Sequence, residues 1–80
     1  MLAQTSPLIA ADQDLCRRVL GELAGTHRLS LQRLGVEVRQ GTVHLRGRVK
    51  SFYEKQLAIH SCIRAAGAGR VVDAVEVPAG

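Results

Sequence analysis

The chain has almost no aromatic residues: one Phe, one Tyr and no Trp among 80 residues. An extended base-stacking platform is thereby excluded, and the two rings sit side by side as Phe52 and Tyr53. Cysteine is scarce too. Cys16 and Cys62 lie far apart without a CxxC partner, so neither a disulfide framework nor a cysteine metal site is expected. Both fall in apolar stripes and read as small core residues, unpaired with each other. His27, His44 and His60 show no metal-ligand spacing. No apolar run approaches the roughly eighteen residues of a membrane span.

The parts of a catalytic centre are also missing. No Ser or Cys occupies an elbow motif with a His placed as its base, and Glu54 reads as a helix cap. Gly67-Ala68-Gly69 ends a helix, whereas a phosphate loop opens one after a strand. The expectation is therefore a binding module, not an enzyme, with no cofactor. The first seven residues lack the basic region of a secretory signal. That points to a cytoplasmic protein, or to a periplasmic or membrane-associated one if the sequence is a piece of a longer chain.

What the sequence does contain is charge and period. Net charge is +4 with a pI near 9.8, which favours anionic partners without choosing among lipid, nucleic acid and acidic protein. Residues 1–10 carry no period and read as a flexible arm, with the domain over 11–78 and a two-residue tail. Asp12 is placed to cap a helix that ends near Leu23 or Ala24, with Gly25 just past its end. Leu15, Cys16, Val19, Leu20 and Leu23 form its apolar stripe. Residues 26–33 read as a polar connection.

Val36 and Val38, then Val43, Leu45 and Val49, alternate with polar residues around Gln40-Gly41. This is a β-hairpin whose cross-strand partners place Glu37 opposite His44. If pairing extends further, Arg33 meets Arg48. Gly47 falls on the inward face, where a missing side chain lets a helix approach. Ser51 and Glu54 have capping-box spacing and open a second helix, and Val71, Val75 and Val77 form a third strand. The fold class is α+β: an αββαβ domain with two helices on one face of a three-stranded sheet.

The run Val36-x-Val38-x-x-Gly41-x-Val43-x-Leu45-x-Gly47-x-Val49-x-Ser51 resembles the hairpin signature of the BON domain, named for bacterial osmotic-stress and nodulation proteins. The ending Gly67-Ala68-x-x-Val71-x-Asp73-x-Val75-x-Val77 is similar to that family's closing strand, with Ala68 for the usual Val and Asp73 for the commoner Asn. Ala58 stands where the family places a small residue. The resemblance implies the αββαβ fold and a non-enzymatic role at phospholipid or envelope surfaces. It carries no site residues over.

Two surfaces are candidates. His44, Arg46, Arg48 and Lys50 recur at every second position and project from one sheet face, joined by Arg33. They form either a solvated face or a surface for anionic lipid. Tyr53 and Leu57 align with Arg64 on the side of the second helix away from the sheet. They either pack against the first helix or the N-terminal arm, or make an amphipathic contact with headgroups or a partner protein. Nucleic acid, bound through the basic sheet face, is the alternative partner. No GxxG clamp joins the helices, and both aromatics lie off the sheet.

Overall fold

The computed structural model describes residues 7–78. Residues 1–6 of the expected arm and the tail 79–80 lie outside the described residues. The elements are α1 (Pro7–Ala24), α2 (Leu29–Gln32), β1 (Gly35–Arg39), β2 (Thr42–Arg48), α3 (Phe52–Ala66) and β3 (Val71–Glu76). Helix α1 begins at Pro7, five positions before the expected cap at Asp12. Proline suits the first helical position because its φ is preset and its missing N–H has no helical partner to lose. Asp12 caps something else: its carboxylate accepts the Gln40 and Gly41 N–H groups, each at 2.8 Å. The start of α1 is thereby pinned to the hairpin turn.

The hairpin forms in the expected register, with Glu37 opposite His44 and Val38 opposite Val43. Gln40 and Gly41 both have positive φ, 50° and 77°, which gives the two-residue turn that matches strand twist. Pairing stops at Gly35–Arg46, so Arg33 does not reach Arg48 across the ladder. Arg33 instead closes α2 as its C-cap residue. β2 is the central strand, antiparallel to β1 and parallel to β3. The parallel pair requires a crossover, and α3 supplies it.

The core lies between the sheet and the two long helices, as expected. Val19, Leu23, Val43, Leu45, Val49, Ala58, Cys62 and Val75 are buried in it. Burial pushes the Cys62 thiol up to about 11, consistent with a packing residue. One core member, Leu31, comes from the supposedly polar connection, and a second, Leu34, lies just past it. Leu31 is fully buried and Leu34 nearly so, because one helical turn at α2 tucks Leu31 beneath the sheet's end. Leu20, by contrast, stands half exposed, rotated off the stripe. Gly25 has no left-handed φ. His27 takes that role at φ 57°, ending the turn after α1.

Gly47 is needed for close approach, although the neighbour is Leu34 and not a helix. A Cβ there would sit 2.8 Å from Leu34 Cδ2, on a backbone already at φ 137°. Leu31→Ala and Leu45→Ala should each cost about 2–5 kcal/mol of stability in urea unfolding. A Leu31→Ala protein that unfolds with the parent midpoint would show that α2 contributes nothing to the core.

Candidate functional site

Chain direction decides which residues share an end of the molecule. α1 starts at the hairpin turn and finishes at the opposite end. There α2 lies, β1 begins, β2 and β3 finish, and α3 begins. At this α2 pole a single carboxylate holds the segments together. Glu54 Oε1 accepts the Lys50 N–H at 3.1 Å, and Oε2 accepts from Arg28 Nη1 at 3.2 Å. Ser51 caps α3 by accepting the Glu54 N–H at 3.2 Å. The capping box is therefore present, with the carboxylate reaching one residue further back than usual.

The Lys50 N–H holds the Glu54 carboxyl below the usual carboxylate range, aided by Ser30 and Arg28 against the opposing effect of burial. Arg28 also lies over the Tyr53 ring, 5.1 Å from its centroid. Its role was hidden in the sequence, since nothing in the connection marks an arginine that reaches a residue 26 positions away.

The same pole gathers the three most exposed of the five exposed large apolar side chains among the described residues. Leu29, Phe52 and Tyr53 are 67%, 69% and 61% exposed, so both aromatic residues of the chain face solvent here. Lys55 lies over Phe52, 5.8 Å from the ring centroid. Arg33 and Lys50 are exposed at this end. Among the described residues neither has a carboxylate within 4.0 Å; the same holds for Arg17, Arg46 and Arg70. One member of the expected apolar site, Tyr53, thus meets two members of the expected basic site, Arg33 and Lys50. Their local patterns assign them to separate surfaces, and the fold brings them to one.

The remaining candidates divide. Tyr53, Leu57 and Arg64 line a groove of about 850 Å3 between α1 and α3, together with Arg28, Glu22 and His60. Leu57 is half-buried against the core, while Arg64 is exposed and 4.0 Å from Glu22. Leu57 therefore packs and Tyr53 remains available. On the sheet, His44, Arg46 and Arg48 do share the open face. Acids interleave them: Glu37 pairs with Arg39 at 3.3 Å, and Glu76 with Arg48 at 3.4 Å. The Arg46 stem lies along Gly35, where a Cβ would meet its Cγ at 3.2 Å. His44 is half-buried. Three arginines and two glutamates leave this face far less basic than its alternation suggests.

Every residue of the hairpin signature has a structural role. Gly41 turns, Gly47 admits Leu34, Val43, Leu45 and Val49 fill the core, and Ser51 caps α3. The family model for the BON domain matches residues 11–79. The chain belongs to the BON domain family. No curated protein and no solved structure matches it. BON domains are binding or adaptor modules, often associated with lipid, and this chain is one of them. Among the described residues, no helix is long and apolar enough to cross a membrane.

Because the folded carboxyl of Glu54 binds its proton less readily than the unfolded one, its contribution is present above the ordinary carboxylate pKa. It is lost as pH falls through the lowered folded value. Stability should accordingly fall on acidification through that window. Glu54→Gln should be less stable than the parent at pH 7 and should flatten the acid limb of a melting-temperature profile. A Gln variant with the parent's acid limb would locate the titrating group elsewhere.

Proposed function

We propose that this BON domain is an adaptor that docks by its α2 pole onto an anionic phospholipid surface. The observation that carries the reading is the coincidence at one pole of Leu29, Phe52 and Tyr53, all more than half exposed, with the acid-free cations Arg33 and Lys50. Arg17, Arg46 and Arg70 also lack a carboxylate within 4.0 Å among the described residues, but the acids themselves are all engaged. Six of the seven acidic side chains are in ion pairs, and Asp12 holds the turn amides.

Rings and a leucine beside unneutralised cations suit the boundary between headgroups and acyl chains. Apolar groups gain by leaving water there, and each Lys or Arg near the anionic surface contributes about 1 kcal/mol. Arg28 fits the same arrangement. With its guanidinium against Tyr53 and Glu54, it keeps the ring at a fixed angle at the rim. The open sheet face supports the reading less well, since two of its three arginines, Arg39 and Arg48, already have acids beside them.

Co-sedimentation with phosphatidylglycerol-containing vesicles tests the proposal. The parent should bind anionic and not purely zwitterionic vesicles, and less as salt rises, because exposed charges are screened over roughly 8–10 Å. Leu29→Ser with Phe52→Ser should lower binding and leave the melting temperature in place, because both side chains are mostly solvated already. Arg33→Gln and Lys50→Gln should each weaken binding about fivefold. Vesicle binding that survives all four changes, or that is lost with Arg46→Gln alone, would move the contact to the sheet face. Selective retention of RNA in a parallel assay would replace lipid by nucleic acid.

A further inference from the structure

The two edges of the sheet are not equivalent. At the outer edge of β3 the Val75 N–H donates to the Asp73 side chain, Oδ1, at 2.9 Å, and Asp73 Oδ2 pairs with Lys55 at 3.4 Å. A carboxylate thus occupies an amide that would otherwise be open to a further strand, and it is itself held in place. Among the described residues β1 has no such guard. In its two-residue turn the Arg39 carbonyl and the Thr42 N–H form the closing pair, so hydrogen-bonded partners alternate from there: Arg39–Thr42, Glu37–His44, Gly35–Arg46. The N–H and C=O groups of Val36 and Val38 then point outward, away from β2. The other side of the ladder agrees, because the Val43 N–H facing Val38 donates instead to the Arg70 carbonyl on the β3 side, at 2.7 Å. No proline or bulge interrupts β1.

Beside this edge runs a groove of about 380 Å3 lined by Asp12, Gln13, Cys16, Val36, Glu37 and Val38. Its inner wall is Cys16 with the two half-buried valines. Its charged members are both acidic: Asp12 holds the turn amides, and Glu37 is in an exposed pair with Arg39 of its own strand, a weak contact that an incoming cation can replace. A strand laid here would put alternate side chains against Cys16, Val36 and Val38, and the intervening ones beside Glu37 on the open face.

We propose that the β1 edge takes an extended, cationic segment of a partner polypeptide as a fourth strand. This surface is separate from the α2 pole and does not depend on the lipid reading. A second copy of the chain fits it poorly. The antiparallel register that bonds both outward valines, Val36 opposite Val38, sets Glu37 against its own counterpart, and like charges directly opposite are destabilising. Sliding that register by two residues to relieve the repulsion brings the hairpin turn into the pairing in one direction and the buried Leu34 in the other.

The test uses the isotopically labelled 80-residue chain and two capped hexapeptides, one alternating lysine with valine and one alternating glutamate with valine. The lysine peptide should shift the Val36, Glu37, Val38 and Cys16 amide resonances and slow hydrogen exchange at Val36 and Val38. The glutamate peptide should bind at least about tenfold more weakly. Val38→Pro removes one outward N–H without touching the bonds to β2, a placement edge strands tolerate. It should weaken the lysine peptide at least about tenfold while the domain stays folded. Glu37→Lys, which leaves the backbone intact, should do the same, so the outcome does not hang on one variant. Three results each overturn the proposal: no response at millimolar lysine peptide, an equal response to both peptides, or shifts confined to β3 or the α2 pole. A concentration-dependent dimer abolished by Val38→Pro would also overturn it, by giving the edge to a second copy.

Discussion

Glu54 is a carboxylate that is 8% exposed, and three segments of chain meet on it. Through Lys50 it fixes the corner by which β2 leaves the sheet, through Arg28 the corner by which α1 turns into α2, and through its own N–H the first turn of α3. A buried acid is costly unless its oxygens are occupied, and here they are. Because that requirement is met only when all three segments are in place, the pole is assembled as a unit. Leu29, Phe52 and Tyr53 flank these contacts in sequence and have no freedom to sink into the core without undoing them. Their exposure follows from the position of the acid that anchors their neighbours.

Asp12 acts in a comparable way at the other end. Its two oxygens take the Gln40 and Gly41 N–H groups of the tight turn and so tie α1 to β1 and β2. Between the two anchors the valine and leucine core closes the gap. A small domain has little apolar area to bury, so polar clamps at both ends define the helix positions while the core supplies most of the stabilisation. Acidic side chains used in this way are no longer free to neutralise the exterior. With six acids in pairs and one on the turn, the unmatched cations are left outside, and two of them lie at the α2 pole.

Period-2 and capping signals made most of the fold legible in the sequence. The hairpin register followed from Val36, Val38, Val43 and Leu45 around a Gly-containing turn, and the α3 start from Ser51 and Glu54. What stayed hidden was long-range. Asp12 looks like a helix cap because Asp at such a position usually is one, and only the folded chain shows it facing a turn 28 residues away. Leu31 and Leu34 lay in a stretch too short and too polar to show a period, yet both are core. The site was legible residue by residue and not as a place. Tyr53, Arg33 and Lys50 each stood out for a different local reason, and α2, which the sequence did not reveal, brings them to one end. The basic stripe erred in the opposite direction: alternation correctly put Arg46 and Arg48 on one face but could not show Glu76 arriving from a parallel strand 28 residues on.

An adaptor has to hold two things at once, so the placement of its surfaces matters as much as their chemistry. The α2 pole lies where α1 ends and α3 begins. The groove at Asp12, Val36 and Val38 lies along the β1 edge towards the hairpin turn, near where α1 starts. Asp73 occupies the outward Val75 amide at the far edge of the same sheet, which leaves β1 as the less obstructed edge. In the proposed arrangement, a domain seated by its α2 pole on an anionic surface would carry the β1 edge above the headgroups, with the acidic groove facing water. The two surfaces also differ in charge, with unpaired cations at the pole and the carboxylates of Asp12 and Glu37 at the edge, so a cationic strand would be repelled by the first and drawn to the second. That opposition keeps either ligand from competing for the other's site.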